Sequence, residues 1–369
     1  MKYIHEKNDW PAFHWNEGAL TAKLADVRHR QGRLLGRMEG LGFDLRNEAM
    51  LSTLTQDVVK SSEIEGEILD VDQVRSSIAR RLGIDIGALI PASHDVEGIV
   101  EMMLDATGNY KNPLNAERLF DWHASLFPTG RSGMSRIVVG AWRDDSSGAM
   151  QVVSGAIGRE RVHFQAPEAA RLDNEMSAFL KWFEERPETD PVLRAAIAHL
   201  WFVTIHPFED GNGRIARAIA DMTLARSEKS RRRFYSMSMQ IRYERNAYYQ
   251  ILETTQNGDL DVTEWLDWFL GCMGRAIDGA ETILEKVFTK ARFWEKHGKH
   301  PFNPRQRSML NRLLDDFKGK LTSSKWAKIE KCSPDTALRD INELIGHDIL
   351  KKDVGGGRST SYSLVMDAD

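Results

Sequence analysis

Apolar residues recur along most of the chain at the three- and four-residue spacing of amphipathic helices. That periodicity predicts helices over residues 17–39 and 46–66, separated by a break at Gly40, Gly42 and Phe43. The same spacing predicts helices over 95–107, 115–127, 168–185, 191–204, 213–228, 244–256 and 261–297. Residues 192–204 (VLRAAIAHLWFVT) are apolar almost all the way round, the mark of a helix buried on every side. Pro207 disfavours helical geometry at the residue before it, so His206 is expected to leave this helix and face a loop.

One stretch departs from the helical period. Gln151 to Gly155 and Arg161 to Phe164 flank a glycine-containing turn at Gly155–Gly158, which reads as a β-hairpin. A lone hairpin cannot build a sheet core, so it suits a flap over a site or an edge for a passing peptide. The run His297 to Pro304 holds two prolines and a glycine and ends the long helix before it. Beyond it the pattern gives helices over about 304–317, 322–330 and 334–346. A strand pair follows, Ile349–Val354 and Ser359–Leu364, joined at Gly355-Gly356-Gly357. Three helices and a glycine-tipped hairpin fit a winged helix-turn-helix. The expected fold is mainly α, a helical core with a β-hairpin flap plus this small C-terminal domain. The expected division is 1–94, 95–297 and 303–369, with a distinct helix at about 47–66 in the first part.

Composition narrows the class. The chain has 369 residues, 41% apolar and 28% charged, a globular profile long enough for two or three domains. A net charge of −4 gives no global pull toward nucleic acid or anionic membrane. Cys272 and Cys332 fall in different expected domains, which argues against a disulfide framework or a cysteine metal site. The first residues lack the apolar core of a secretory signal, and no run approaches the ~18 apolar residues of a membrane span. A cytoplasmic protein that avoids the membrane is the expectation.

The candidate chemistry gathers between His206 and Arg217. Gly211-Asn212-Gly213 permits backbone angles closed to other residues, and such a turn can aim successive N–H groups inward as an anion nest. A helix starts at about Gly213, and its free N–H groups and dipole favour phosphate there. Arg214 and Arg217, three apart, project from one side of the first turn. Asp210 brings a carboxylate able to hold Mg²⁺ beside phosphates. His206 can take a proton from an attacking hydroxyl near neutral pH. Together these describe a polyphosphate site with a base beside it. A metal hydrolase fits less well, because no second histidine stands at ligand spacing from His206.

The stretch His206-Pro207-Phe208-Glu209-Asp210-Gly211-Asn212-Gly213-Arg214-Ile215-Ala216-Arg217 matches the motif of the Fic (Fic/Doc) family, HPFx(D/E)GNGRxxR, at every specified position. The resemblance extends to Leu119–Phe127, to Gly140-Ala141-Trp142-Arg143, to the hairpin and to Arg245–Leu252. The whole chain resembles the longer bacterial members, which add an N-terminal helical segment and a C-terminal winged helix. The resemblance implies a protein adenylyltransferase, moving AMP from ATP to a Ser, Thr or Tyr hydroxyl with pyrophosphate leaving. It implies His206 as the base and Asp210 as the ligand of Mg²⁺ (or Mn²⁺). It implies Gly211, Asn212, Gly213, Arg214 and Arg217 around the phosphates. Tyr249 would hold the nucleoside, Gln256 is a weaker candidate near the adenine, and Val153 and Ser154 sit on the flap beside the nucleotide. The partners implied are ATP and a target protein, the chain itself included, and a homodimer is the assembly it points to.

A second signal lies upstream. Leu51, Leu54 and Val58 form one apolar stripe, and the same spacing continues to Ser61 and Glu65. A carboxylate ending such a stripe needs a cation or solvent. Ser61-Ser62-Glu63-Ile64-Glu65-Gly66 resembles the Fic inhibitory motif, (S/T)xxxE(G/N). That resemblance implies a bidentate pair between Glu65 and Arg217, which would keep Arg217 from a γ-phosphate and leave the resting protein autoinhibited in cis. The same glutamate serves a rival activity, removal of AMP from a modified protein. Phosphorylation or transfer from another diphosphate donor is a further rival on the same scaffold. A third is a DNA-binding regulator whose core senses nucleotide. Residues 303–369 carry 12 Lys/Arg against 10 Asp/Glu, a net of +2, which suits DNA binding and protein docking alike. Thr336, Arg339, Asn342, Lys351, Lys352 and Arg358 are the candidate contacts there.

Overall fold

The computed structural model describes residues 2–87, 89–146, 148–155, 159, 161–185, 188–315, 317, 319–353 and 360–365. The chain forms two compact units, Met1–Ile283 and Leu284–Asp369. Residues 1–94 therefore pack inside the same unit as the segments that follow them. The architecture is mainly helical, as the periodicity predicts.

In the first unit the helices are α1 (Glu17–Glu39), α2 (Phe43–Ile64), α3 (Val71–Leu82), α4 (His94–Gly108) and α5 (Ala116–Leu126). Two short strands, β1 (Arg131–Ser132) and β2 (Ser135–Arg136), pair antiparallel. The hairpin strands β3 (Gln151–Ser154) and β4 (Arg161–Gln165) come next. Then come α6 (Leu172–Glu184), α7 (Pro191–Ile205), α8 (Asn212–Glu228), α9 (Met237–Tyr243), α10 (Arg245–Gln256) and α11 (Thr263–His297), the unit boundary falling within α11.

The pair α7 and α8 forms the centre. Every residue of α7 from Val192 to Ile205 is buried, and its start is fixed by Pro191 in the first turn and by the Asp190 carboxylate accepting from Val192 N at 2.7 Å. Nearly all of α8 is buried as well, and the two helices make the most extensive packing in the unit. Around them, α2 packs on α9 and α3, and α4 packs on α5 and α8. Gly98 of α4 is obligatory, because a Cβ there would meet the Ser125 carbonyl oxygen of α5 at 1.7 Å.

Helices α3 and α9 were not expected. Asp70 caps α3 by accepting from Asp72 N and Gln73 N, and Gly83, with φ of 67°, closes it in the left-handed region. Helix α2 begins at Phe43, an expected break, and stops at Ile64, where Glu65 caps it and Gly66 turns away with φ of 90°. The expected hairpin is present with an irregularity. Val152 pairs with Phe164 but Val153 pairs with Val162, so His163 is an extra residue in β4, a bulge. Of the expected turn, Gly155 has φ of 109°, and 156–158 lie outside the described residues.

The second unit holds α12 (Pro304–Leu314), α13 (Ser323–Ile329), α14 (Pro334–Gly346) and the antiparallel pair β5 (Leu350–Lys352) and β6 (Tyr362–Leu364). Its core is built on Trp326, Met309, Leu310, Ile341, Leu344 and Leu350. Helix α12 ends at Leu314, short of the expected 317, where Asp315 N bonds back to Asn311 and Arg312. The expected glycine tip at 355–357 and Arg358 lie outside the described residues. On α14, Arg339 and Asn342 are exposed and Thr336 is half-buried, while Asp340 is buried and held by Arg305 and Asn303. Lys351 and Lys352 are exposed on β5.

Candidate active site

His206 caps α7 in the left-handed region, with φ of 53° and ψ of 59°. For a residue with a side chain this conformation costs about 1–2 kcal/mol and persists only where neighbours fix it. Arg143 does so. Its guanidinium is buried, Nε donates to the His206 carbonyl at 2.8 Å, and its own backbone N donates to the Pro207 carbonyl at 2.9 Å. A further guanidinium nitrogen reaches Pro167 O at 2.5 Å. Arg143 thus staples the loop that carries the histidine.

The His206 ring is oriented too. Nδ1 lies 3.2 Å from the Val203 carbonyl, which can only accept, so Nδ1 carries the hydrogen and Nε2 keeps a lone pair. Burial pushes the imidazole down to about 4, against the opposing pull of the Val203 carbonyl. The ring is neutral at physiological pH, with a free basic nitrogen.

Next comes the turn into α8. Phe208 is buried and stacks on His123, with ring centroids 4.1 Å apart and 10° between planes. The Asn212 side chain binds Phe208 twice, accepting from its N at 3.0 Å and donating to its O at 2.7 Å. Asn212 therefore shapes the loop with its side chain, and only its backbone N–H is left for an anion. Gly211 has φ of 82°, and a Cβ there would meet the Phe127 ring at 2.9 Å. The Asp210 carboxylate accepts from Gly211 N at 2.5 Å and from the Ser132 hydroxyl, with its side chain 41% exposed. Asp210 and Arg214 stand 4.0 Å apart. Glu209 accepts from Val138 N at 2.7 Å and so ties the residues just after β2 to this loop.

Both arginines of the first turn of α8 are buried, and acids from the end of α2 hold both. Arg217 Nη1 lies 2.8 Å from Glu65 Oε1, Nε donates to Ser61 Oγ at 3.0 Å, and Nη2 donates to Ser61 O at 2.8 Å. The Glu65 contact joins one nitrogen to one oxygen, not the bidentate fork that the family resemblance implied, because Ser61 takes the other two guanidinium nitrogens. The second oxygen, Glu65 Oε2, accepts from the Tyr249 hydroxyl at 3.4 Å. Arg214 Nη1 donates to Glu67 Oε2 at 2.6 Å while its guanidinium lies over the Phe127 ring at 5.1 Å. Burial pushes the Glu67 carboxyl up, and Arg214 opposes that shift.

Gly213 shows where the Glu65 carboxylate sits. A Cβ on Gly213 would lie 2.2 Å from Glu65 Oε1 and 3.2 Å from Arg217 Nη1. The carboxylate rests against the opening turn of α8, the position that a helix start offers to an anion.

The flap is clamped to α10. Arg161 reaches Glu253 Oε1 at 2.6 Å, and the bulged His163 donates from Nδ1 to Glu253 Oε2 at 2.8 Å. The Ser154 hydroxyl is engaged with His163 Nε2 at 2.6 Å, and Val153 is exposed. Gln256 is buried and donates to the Thr204 hydroxyl at 3.2 Å. Sequence reasoning did not assign a role to Glu67, Arg143, Ser132 or the His163–Glu253 clamp. Arg143 left a trace in Gly140-Ala141-Trp142-Arg143, where the resemblance extends, and Glu67 is a second acid one residue beyond Gly66.

A family profile described as the Fic/DOC family matches residues 113–224, the span from before α5 into α8 that holds Arg143, His206 and the opening turn of α8, while Glu65, Glu67, Tyr249 and Glu253 lie outside it. The chain carries a Fic/DOC family domain. A second profile, described as a domain of unknown function (DUF4172), matches residues 3–84. The Fic domain brings curated relatives with it. A protein named protein adenylyltransferase Fic from Aedes aegypti is 26% identical over 232 residues, covering 60% of this chain and 41% of that protein. One of the same name from Nematostella vectensis is 32% identical over 114 residues, covering 30% of this chain and 25% of that protein. The chain thus spans about two fifths or less of the length of these relatives. Among solved structures, a Fic family protein from Desulfovibrio desulfuricans superposes with a TM-score of 0.56 at 20% identity, covering 96% of this chain and 98% of that one. A Fic domain containing signaling protein from Bacteroides thetaiotaomicron gives 0.52 at 17% identity, covering 70% and 98%. These two establish a shared fold. No helix among the described residues is long and apolar enough to cross a membrane.

Proposed function

We propose that this Fic domain transfers AMP from ATP to a protein hydroxyl, and that the chain is held off by the acids at the end of α2. The observation that carries the reading is the placement of an oriented, neutral His206 beside the opening turn of α8, where Gly211, Gly213, Arg214 and Arg217 converge. That is a base next to a polyphosphate cradle.

The step follows from these parts. His206 Nε2 takes the proton of the target hydroxyl as its oxygen attacks the α-phosphorus. The bond to the bridging oxygen breaks, AMP stays on the target and pyrophosphate leaves. Anionic phosphates beside the imidazole raise its basicity from the value set by burial alone. Backbone N–H groups at the start of α8 and the Arg214 guanidinium would meet the phosphate oxygens. The half-exposed Asp210 carboxylate is a hard oxygen donor beside this cradle, which fits Mg²⁺. When bound there, Mg²⁺ would neutralise phosphate charge.

In the conformation described, Glu65 lies where a phosphate oxygen would meet α8 and Arg217. The off state is direct occupancy of the anion site by a carboxylate. The test uses purified protein, α-labelled ATP and intact-mass detection of one added AMP on the chain or on a co-incubated protein. His206→Ala should lower the rate about 10²–10⁴-fold. An unchanged rate in that variant would sink the proposal, as would a product that carries phosphate without adenosine.

A further inference from the structure

His300, Glu343 and His347 of the second unit bring their ligand atoms within 4.8 Å of one another. Glu343 lies on α14 and His347 is its C-cap residue, four positions later, so both project from one face of the last turn. His300 comes from the segment before α12, and its ring meets the His347 ring at 4.0 Å between centroids and 61° between planes. We propose that these three side chains bind a divalent transition ion of the Zn²⁺ type.

Three observations support the assignment. The donor set is two imidazoles and one carboxylate, which suits borderline ions and leaves further positions for water. A tetrahedral ion with bonds of about 2.0–2.2 Å places its donors about 3.3–3.6 Å apart, so small side-chain rotations close the present spread. The site is also supported from behind. Gln306 is buried, its Oε1 accepts from Asn303 N at 3.0 Å, and its Nε2 donates to Glu343 Oε2 at 3.0 Å, which orients the carboxylate and leaves Oε1 for an ion. The end of α14 is fixed by Asp348 N on Ile345 O at 3.1 Å and Ile349 N on Leu344 O at 2.9 Å. The third observation is an orphan: His300 Nε2 is buried with no hydrogen-bond partner, an arrangement that a polar atom avoids unless something else engages it.

The bound ion would tie the residues before α12 to the end of α14 and so brace the second unit across its helices. The mechanism of nucleotide transfer does not depend on it. The test is calorimetric titration of Zn²⁺ into the full chain after chelator treatment, without nucleotide, with Co²⁺ absorption to report nitrogen ligands. The parent should bind one equivalent at micromolar affinity or tighter. His347→Ala should weaken that binding at least 100-fold. Glu343→Gln, which keeps shape and the Gln306 contact but removes the ligand's charge, should weaken it at least about 10-fold, more than altering only the partners behind a ligand does. Failure of the parent to bind at micromolar Zn²⁺, or parental affinity in both variants, overturns the proposal.

Discussion

Replacing Glu65 by glycine tests the off state where the structure is most specific. The carboxylate that disappears is 28% exposed, and the guanidinium it faces is only 2% exposed. Glu65 meets Arg217 as an ion pair at 2.8 Å, and a contact between charged groups of this kind contributes about 1.5–3 kcal/mol. Its loss would raise the fraction of chains with a free Arg217 by about 10- to 150-fold, each 1.4 kcal/mol being tenfold. Ser61 still holds Arg217 through its hydroxyl and carbonyl, so the lower part of that range is expected. The assay is the initial rate of AMP incorporation from α-labelled ATP at subsaturating nucleotide, with the melting temperature measured alongside. Glu65→Gln should rise less than Glu65→Gly, because an amide still fills the space above Gly213. Adding His206→Ala to Glu65→Gly should silence the gain. If Glu65→Gly is folded and labels no faster than the parent, then occupancy of Arg217 is not what restrains the site.

Two further outcomes follow from neighbouring contacts. Glu67 is 46% exposed, so its pair with Arg214 is screened and contributes about 0.2–1 kcal/mol; Glu67→Gln should speed labelling by no more than about 5-fold, and a rise as large as that of Glu65→Gly would reverse the assigned order of the two acids. Folding stability should fall on acidification from pH 7 to pH 5, read as melting temperature. Burial holds His123 at about 4 and His199 at about 3, while in the unfolded chain both titrate near 6.5. Between those values the unfolded state binds more protons, so stability rises with pH and is lost as pH drops below about 6.5, at about 1.4 kcal/mol per unit for each ring. A flat profile over that window would contradict the buried, neutral assignment.

The legible parts of the molecule are those in which local chemistry and tertiary role coincide. Helix α7 shows itself by near-continuous apolarity, and the cradle at α8 by glycines and arginines within one turn. The hairpin shows itself by its glycines, but the bulge that places His163 on Glu253 depends on how α10 lies under β4 and leaves no mark in β4 itself. Helix α3 carries its own marks, a cap at Asp70, apolar spacing at Val74 and Ile78 and a stop at Gly83, but the polar residues between them dilute the period. The partnership of Glu67 with Arg214 joins positions 147 apart in sequence, and nothing near either residue specifies the other. The one-point contact of Glu65 was equally hidden, since it depends on Ser61 turning two of its oxygens toward the same guanidinium.

That division bears on how the off state works under the proposed function. The residues that would bind phosphate are local and rigid, held by Arg143, Asn212 and the glycines around α8. The restraint comes from the far end of another helix, where Gly66 ends the helical run immediately after Glu65. Phosphate and the Glu65 carboxylate compete for the same groups, so each weakens the other's hold by the same factor. At about 1.5–3 kcal/mol, roughly 0.6–7% of chains would have Arg217 free without nucleotide, and apparent affinity for a clamped γ-phosphate would be reduced by that fraction. Any event that draws residues 61–67 away from α8 therefore needs no change in the catalytic loop itself to switch it on. Under the proposed function the cradle at α8 needs no rebuilding, and regulation reduces to which anion lies on Gly213.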